Sequence, residues 1–197
     1  SLCHAPHASM YFDPRGKVRA CCQTRSGYLG DVTMQTLREI WDGAASQAMR
    51  EQLEAGTFPP ACAFCEWQSR EGNDRTLFAR HFDELPIDEP RPSWPTQMEF
   101  ALSNACNLEC IMCSGGYSSA IRSRRERRPP LPTVYEDRFL EELADFLPKL
   151  TQAKFYGGEP LVGRESLRVL RMLSELDAAP VVTITTTVSD SREYPIP

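Results

Sequence analysis

The sequence predicts an α/β protein in two parts, a small cysteine-rich α+β module followed by successive strand–helix units. Two observations lead to this prediction. After residue 96, apolar segments with a strand pattern alternate with amphipathic helical patterns, which is typical of βαβ units with parallel strands. In addition, the 197 residues contain eight cysteines, and these fall into two separate groups along the chain.

The first part, residues 1–85, begins with a predicted β-hairpin. Met10–Phe12 is followed by Asp13–Gly16, whose residue types favour a turn, and Lys17–Ala20 then returns as the second strand. A helical pattern follows from about Thr33. These elements are too few and too short for a large core, so we expect a small module.

A linker and the strand–helix units make up the rest of the chain. Residues 86–95 contain four prolines, which favours an extended linker and a domain boundary there. In residues 96–197, Thr133 with Glu136 matches a capping box and predicts a helix start. The other predicted elements in this part are three strands at Gln97–Ser103, Ala153–Tyr156 and Val181–Val188, the last of them buried, and a helix at Glu165–Leu176.

Composition limits the classes of function. The formal net charge is −5, which argues against a broad DNA-binding surface. No apolar run approaches the ~18 residues that span a bilayer, so we expect no membrane segment. Closely spaced cysteine pairs favour metal ligation over disulfides in a reducing compartment. We therefore expect a cytoplasmic metalloprotein.

The first group of cysteines follows a predicted strand. Cys106, Cys110 and Cys113 form a C-x3-C-x2-C pattern. Three thiolates on one loop can each hold one iron of a [4Fe–4S] cluster, which leaves the fourth iron open to a small molecule. A closed zinc site would need a fourth ligand nearby, and the loop has no histidine near it.

This loop resembles the defining motif of radical S-adenosylmethionine (radical SAM) enzymes. The resemblance implies a (β/α) barrel, of which about three strands fit here, and S-adenosylmethionine bound at the open iron. It also implies reductive cleavage of that cofactor to a 5′-deoxyadenosyl radical, which abstracts hydrogen from the substrate. Met112 stands where the family usually has an aromatic residue against the adenine. We expect no catalytic residue beyond the cluster.

A second motif follows the next predicted strand. Gly157-Gly158-Glu159-Pro160 resembles the family's GGEP motif, which binds the methionine amino group of the cofactor. Two glycines allow the backbone to approach a ligand closely, and the glutamate offers an acceptor for an ammonium group. By itself this composition is also that of an ordinary turn.

The second group of cysteines lies in the first part of the chain. Together with Gly16, the hairpin and the segment around Trp41, it resembles the auxiliary-cluster modules called SPASM or twitch domains, although these more often follow the barrel. The resemblance implies a second [4Fe–4S] cluster and makes Cys22 a non-ligand, while an exchange of Cys21 and Cys22, or a four-cysteine zinc site, stays open. The expected ligands are Cys3, Cys21, Cys62 and Cys65.

The family resemblance also implies partners. We expect a peptide or small-molecule substrate and an electron donor such as flavodoxin or ferredoxin. Because the strands are fewer than those of a full barrel, we expect the chain to be a fragment that binds S-adenosylmethionine weakly. Its last strand has the apolar pattern of a buried strand but no following helix to protect it. Two alternatives are a non-catalytic zinc or iron–sulfur module and a truncated remnant of such an enzyme.

Overall fold

The computed structural model describes residues 1–24, 26–87 and 89–187, and the elements below belong to these ranges. The strands are β1 (Ser9–Phe12), β2 (Lys17–Arg19), β3 (Gly30–Asp31), β4 (Gln97–Phe100), β5 (Gln152–Phe155) and β6 (Val181–Ile184). The α-helices are α1 (Ala5–Ala8), α2 (Leu37–Trp41), α3 (Ala44–Glu54), α4 (Ala63–Arg70), α5 (Asp137–Phe146) and α6 (Arg164–Ser174). Short 3₁₀ turns lie at Pro60–Cys62, Asp74–Thr76, Phe78–Phe82 and Leu147–Lys149, and a π-helical turn lies at Ile121–Arg125.

The strands form one mixed sheet in the order β3-β2-β1-β4-β5-β6. β1, β2 and β3 pair antiparallel, whereas β1, β4, β5 and β6 pair parallel. Helix α5 lies between β4 and β5 in the chain, and α6 lies between β5 and β6. This order confirms the predicted hairpin and the predicted strand–helix–strand units. The partial barrel stays a prediction.

The first part of the chain contributes directly to this sheet. Ser9 of β1 lies in register with Gln97 of β4, and Phe12 lies in register with Phe100. Strands on both sides of the proline-rich linker therefore share one set of backbone hydrogen bonds. The division into residues 1–85, 86–95 and 96–197 remains a prediction, and the two flanking parts meet within this sheet.

The hydrophobic core covers one face of the parallel strands. The rings of Phe12 and Phe100 stack with centroids 5.6 Å apart, and those of Phe100 and Phe155 lie 5.1 Å apart. Phe139 of α5 packs edge-on against Phe12 at 5.5 Å. Since successive side chains of a strand point to opposite faces, the neighbouring residues Tyr11, Glu99 and Lys154 lie on the other face.

The predicted capping box at Thr133 was wrong. Helix α5 begins four residues later, at Asp137, and its N-cap residue Glu136 has extended backbone and no side-chain capping bond. The segment before it is held by Tyr135, which is buried and donates a hydrogen bond of 2.5 Å from its hydroxyl to the carbonyl oxygen of Asp13. This tertiary contact fixes the chain in an extended form where local sequence favoured a helix.

β6 is parallel to β5 as predicted, but it is not buried. Val181 is 69% exposed and Val182 is 38% exposed. Only Ile184 packs against the core, because the described residues include no helix after β6 that covers this edge. Val188, the predicted end of the strand, lies outside the described residues.

No helix in the described ranges has the length and apolar character that crossing a membrane requires.

Candidate metal centres

Four cysteines from three separate segments gather around one small cavity. Cys3 precedes α1, Cys21 follows β2, and Cys62 and Cys65 lie on either side of the start of α4. All four line a cavity of about 20 Å³ whose remaining walls are mostly apolar, including Met49, Leu53, Phe58 and Phe82. These are the four residues that the sequence predicts as auxiliary-cluster ligands.

Local structure explains how Cys21 reaches this cavity. The turn before β2 is closed by Asp13, whose carboxylate accepts hydrogen bonds from the backbone N–H groups of Arg15 at 2.8 Å and Lys17 at 3.0 Å. Gly16 has a φ of +86°, which suits glycine far better than other residues. The carboxylate of Asp13 also binds Arg19 at 2.8 Å. These hydrogen bonds therefore hold the hairpin in place as far as Arg19, two residues before Cys21.

Three of the four thiols are buried, and that of Cys62 is half-buried. Burial raises the pKa of Cys3 to about 12 and that of Cys62 to about 11, and repulsion from Cys65 adds to both shifts. Burial also raises the pKa of Cys21 well above its usual value. At neutral pH these groups are protonated unless a metal takes the place of the protons.

The four cysteines provide the right donor atoms for a four-thiolate metal site. Their side chains are not spaced in this structure so as to hold a metal. Four sulfur ligands without a competing carboxylate suit either an iron–sulfur cluster or zinc. Within the described ranges, however, no three Cys, His, Asp or Glu side chains are arranged to hold a metal ion. A cavity of about 20 Å³ has room for about one water molecule and not for a cluster. The side chains must separate to admit a cluster.

Cys22 lies elsewhere. Its side chain lines a second, much larger cavity, together with Glu99 and Tyr156, and it does not line the cavity of Cys21. The residue as a whole is exposed, but partial burial of its thiol in the cavity raises its pKa to about 11, and repulsion from Glu99 contributes.

The loop of Cys106, Cys110 and Cys113 follows β4, as the sequence predicts. It is closed at its base by Asn104, which donates a hydrogen bond of 2.9 Å to the carbonyl oxygen of Gly115. Cys106 and Cys113 are half-buried, whereas Cys110 is exposed. The loop tip extends into solvent, since Ile111 and Met112 are each 92% exposed.

The three thiols of this loop share one electrostatic environment. Burial raises the pKa of Cys106, the N–H of Leu108 opposes this, and repulsion from Cys113, Glu159 and Cys110 adds to it. Cys110 and Cys113 are therefore close enough to Cys106 to act on its charge, although within the described residues the three are not arranged as a metal site. A three-thiolate donor set with an open side fits a cluster with one free iron.

The glycine motif packs directly on the cysteine loop. Gly157 has a φ of +71°, and a Cβ there would lie 2.6 Å from the Cβ of Ala101. Gly158 has a φ of +55°, and a Cβ there would lie 2.5 Å from the carbonyl oxygen of Ala105. The backbone N–H of Glu159 donates to the same carbonyl at 2.7 Å. Glycine is required here because the two loops touch through their backbones.

The carboxylate of Glu159 already has partners. It accepts hydrogen bonds from the hydroxyl of Thr186 at 2.7 Å and from the backbone and hydroxyl of Thr187 at 3.0 and 2.9 Å. Burial alone would raise its pKa, but these bonds prevail and lower it. Pro160 is also buried. Of the four motif residues, only the two glycines line the large cavity, so binding of an ammonium group by Glu159 stays a prediction.

The large cavity brings the two motifs together. Its volume is about 990 Å³, at the upper end of the ~300–1,000 Å³ of ligand pockets. Met112 and Cys113 form one side, Gly157 and Gly158 another, and Glu99 and Lys154 lie on the sheet between them. Sequence reasoning missed Glu99 and Lys154; polar residues inside two segments expected to be buried strands were the available signal.

Comparison with known proteins bears on the first part of the chain. Residues 3–66 match the family model SPASM, an iron–sulfur cluster-binding domain. Domains of this kind occur in radical SAM enzymes. The matched segment contains Cys3, Cys21, Cys62 and Cys65. No curated protein and no solved structure shows significant similarity to the chain. The chain thus contains a segment similar to an iron–sulfur domain in residues 3–66.

Proposed function

We propose that this chain is a radical SAM protein with two [4Fe–4S] clusters. Cys106, Cys110 and Cys113 would hold the catalytic cluster, and Cys3, Cys21, Cys62 and Cys65 the auxiliary one. When bound, the catalytic cluster supplies the electron that cleaves S-adenosylmethionine into methionine and a 5′-deoxyadenosyl radical, which removes hydrogen from the substrate. An electron donor such as flavodoxin or ferredoxin would reduce it.

One observation carries the proposal. The cysteine loop and the glycine pair, more than forty positions apart in the sequence, are in backbone contact and line the same cavity of about 990 Å³. The two left-handed glycines allow this close approach, because a Cβ at either position would collide with the cysteine loop or the residues that lead into it. Gly157 and Gly158 present backbone groups to the cavity, and Cys113 stands beside them. The peptide or small-molecule substrate would occupy the rest of the space.

The residues of this chain would contribute positioning and shielding. Asn104 holds the base of the cysteine loop through Gly115. Glu159 fixes its own loop to the segment just after β6 through Thr186 and Thr187. Met112, at the exposed tip, lies at the cavity edge, where it would cover the adenine of a bound cofactor.

Anaerobic reconstitution with iron and sulfide tests the proposal. We expect about eight irons per chain, and about four in the Cys106→Ala/Cys110→Ala/Cys113→Ala variant. With a strong reductant and S-adenosylmethionine, the wild-type chain should form 5′-deoxyadenosine, and Cys110→Ala should form none. Ile111→Ala, which changes the exposed neighbour of Cys110, is the matched control and should retain both properties. Undiminished cleavage in Cys110→Ala would overturn the assignment.

A second candidate is a non-catalytic module with one metal site. The similarity of residues 3–66 to an iron–sulfur domain favours it, because that segment alone accounts for the four cysteines at the small cavity. This candidate predicts one cluster or one zinc ion per chain and no cofactor cleavage. Metal analysis of the same reconstituted samples separates the two.

A further inference from the structure

The floor of the large cavity is a row of polar side chains on the parallel sheet. Tyr11 of β1 lies in register with Glu99 of β4, and Glu99 lies in register with Lys154 of β5. Residues in register on neighbouring strands point to the same face, so these three side chains stand next to one another. Strands of a parallel sheet are normally apolar on both faces, which makes an acid and an amine side by side an unusual pair.

Glu99 is a carboxylic acid buried at a position where its ionised form is disfavoured. It is 2% exposed, and its carboxylate accepts a hydrogen bond of 2.9 Å from the side-chain amide of Gln97. Burial raises its pKa to about 7, while the charge of Lys154 acts in the opposite direction. A buried acid with a displaced pKa in a pocket is the kind of group that protein function retains at a cost in stability.

Lys154 is a cation of the cavity floor without a close ion pair among the described residues. Within the described residues it makes no ion pair, with Glu99 or any other carboxylate, at 4 Å or less. The other cation on the cavity wall, Arg80, is paired with Asp83 at 3.0 Å. Lys154 is therefore the cation of this cavity with capacity for an anion, and it stands beside the acid.

Part of the remaining wall is aromatic. Tyr117, Tyr156 and Phe78 line the cavity together with Tyr11. These rings offer a flat apolar surface to the non-polar portion of a ligand, with hydroxyl groups for additional hydrogen bonds.

We propose that the cavity binds a free amino acid, with its ammonium group at Glu99, its carboxylate at Lys154 and its side chain among the aromatic rings. The assignment rests on the proposed function and narrows it, because it makes the substrate a small zwitterion. A residue inside a peptide has neither charge on its backbone and would offer no ionic partner to either Glu99 or Lys154. A zwitterion supplies both partners at once.

Three related probes test the two contacts separately. L-Phenylalanine carries both charges, 3-phenylpropionate lacks the ammonium, and 2-phenylethylamine lacks the carboxylate. Binding to the reconstituted chain is measured by calorimetry, with excess S-adenosylmethionine and no reductant, so that the cofactor's own amino acid group occupies its site. The variants are Glu99→Gln and Lys154→Gln. Glu175→Gln and Lys149→Gln make the same charge changes at exposed positions outside the cavity.

The wild-type chain should bind L-phenylalanine about ten-fold more tightly than either analogue, the effect of one hydrogen bond to a charged group. Glu99→Gln should abolish the preference over 3-phenylpropionate, and Lys154→Gln the preference over 2-phenylethylamine. The two control variants should behave as wild type. Equal binding of all three probes by the wild-type chain, or no binding of L-phenylalanine, would overturn the amino-acid assignment.

Iron content and 5′-deoxyadenosine formation are measured in the same samples. If both are normal while the probes are not distinguished, the amino-acid assignment fails and the proposed function stands. If both are absent, the proposed function fails, and the substrate assignment fails with it.

Discussion

Cys21 and Cys22 are consecutive residues whose side chains enter different cavities. Cys21 lines the small cavity with Cys3, Cys62 and Cys65, whereas Cys22 lines the large cavity beside Glu99. Both residues lie in the turn that follows β2, which ends at Arg19. Sequence spacing left the choice between them open, and this geometry supports Cys21 as the ligand.

The first prediction concerns this pair. Cys21→Ala should lower the iron of the reconstituted chain from about eight to about four per chain, because a four-thiolate site loses one of its ligands. Cys22→Ser should leave the iron content unchanged, since its thiol lines the large cavity and not the small cavity of the four cysteines. Iron and sulfide analysis of both variants gives the answer. An equal loss of iron in Cys22→Ser would show that the ligand assignment is reversed.

The second prediction concerns pH. Glu99 has a pKa of about 7 in the folded protein, above its ordinary value of 4.5. A raised pKa means that this group favours folding below about pH 4.5 and that this contribution is lost as the pH rises through about 7. The loss is on the order of 3 kcal/mol.

Thermal unfolding of the metal-free chain between pH 5 and pH 8 measures this effect. The wild-type protein should lose stability relative to Glu99→Gln as the pH rises, while its difference from the exposed control Glu175→Gln should stay constant. A constant difference between wild type and Glu99→Gln across this range would contradict the shift.

The third prediction concerns the contact between the two loops. Gly158→Ala should prevent the glycine motif from packing on the cysteine loop, because the new Cβ would lie 2.5 Å from the carbonyl oxygen of Ala105. Gly72→Ala is a matched control, since Gly72 has a φ of +74° and no atom within 4 Å of the new Cβ. The control should cost about 1–2 kcal/mol from backbone strain alone.

Urea unfolding of the two variants separates the cost of backbone strain from the cost of the steric clash with Ala105. Gly158→Ala should be less stable than Gly72→Ala and should also lose 5′-deoxyadenosine formation. Equal destabilisation with full activity would mean that the loops do not need their close contact.

The fourth prediction concerns Glu159. Glu159→Gln should destabilise the protein by about 1–3 kcal/mol, because an amide in place of one carboxylate oxygen would oppose the donors of Thr186 or Thr187. The same change at exposed Glu175 should cost far less. The urea concentrations at the unfolding midpoints of the two variants are compared at pH 7. An unchanged midpoint for Glu159→Gln would show that these hydrogen bonds contribute little.

The sequence predicted elements whose signal is local. The hairpin around Asp13–Gly16 and the strands at β4, β5 and β6 follow from turn chemistry and apolar runs, and the structure confirms them. The start of α5 was wrong, because the buried hydrogen bond of Tyr135 overrides the local capping pattern. The burial of β6 was also wrong, since burial depends on what packs on a strand and not on its own residues.

The candidate site was likewise predicted only where its residues form a local sequence motif. Cysteine and glycine spacing identified the residues of both groups, but not that Cys22 and Cys113 line one cavity. Glu99 and Lys154 have no motif, and only the register of β4 and β5 places them together. Register between distant strands depends on the whole sheet, so no local pattern predicts it.

The pairing of β1 with β4 also has a consequence for synthesis on the ribosome. About 85 residues separate Phe12 from Gln97, and translation adds them in roughly 4–17 s at ~5–20 residues per second. A hairpin forms in ~1–10 μs, so β1 and β2 are paired long before β4 exists. During that interval Met10 and Phe12, both fully buried in the finished protein, stand on a strand with an open edge. Ribosome-bound chains arrested before residue 97 are therefore the species to which chaperones should bind, and release of that binding should coincide with the emergence of β4.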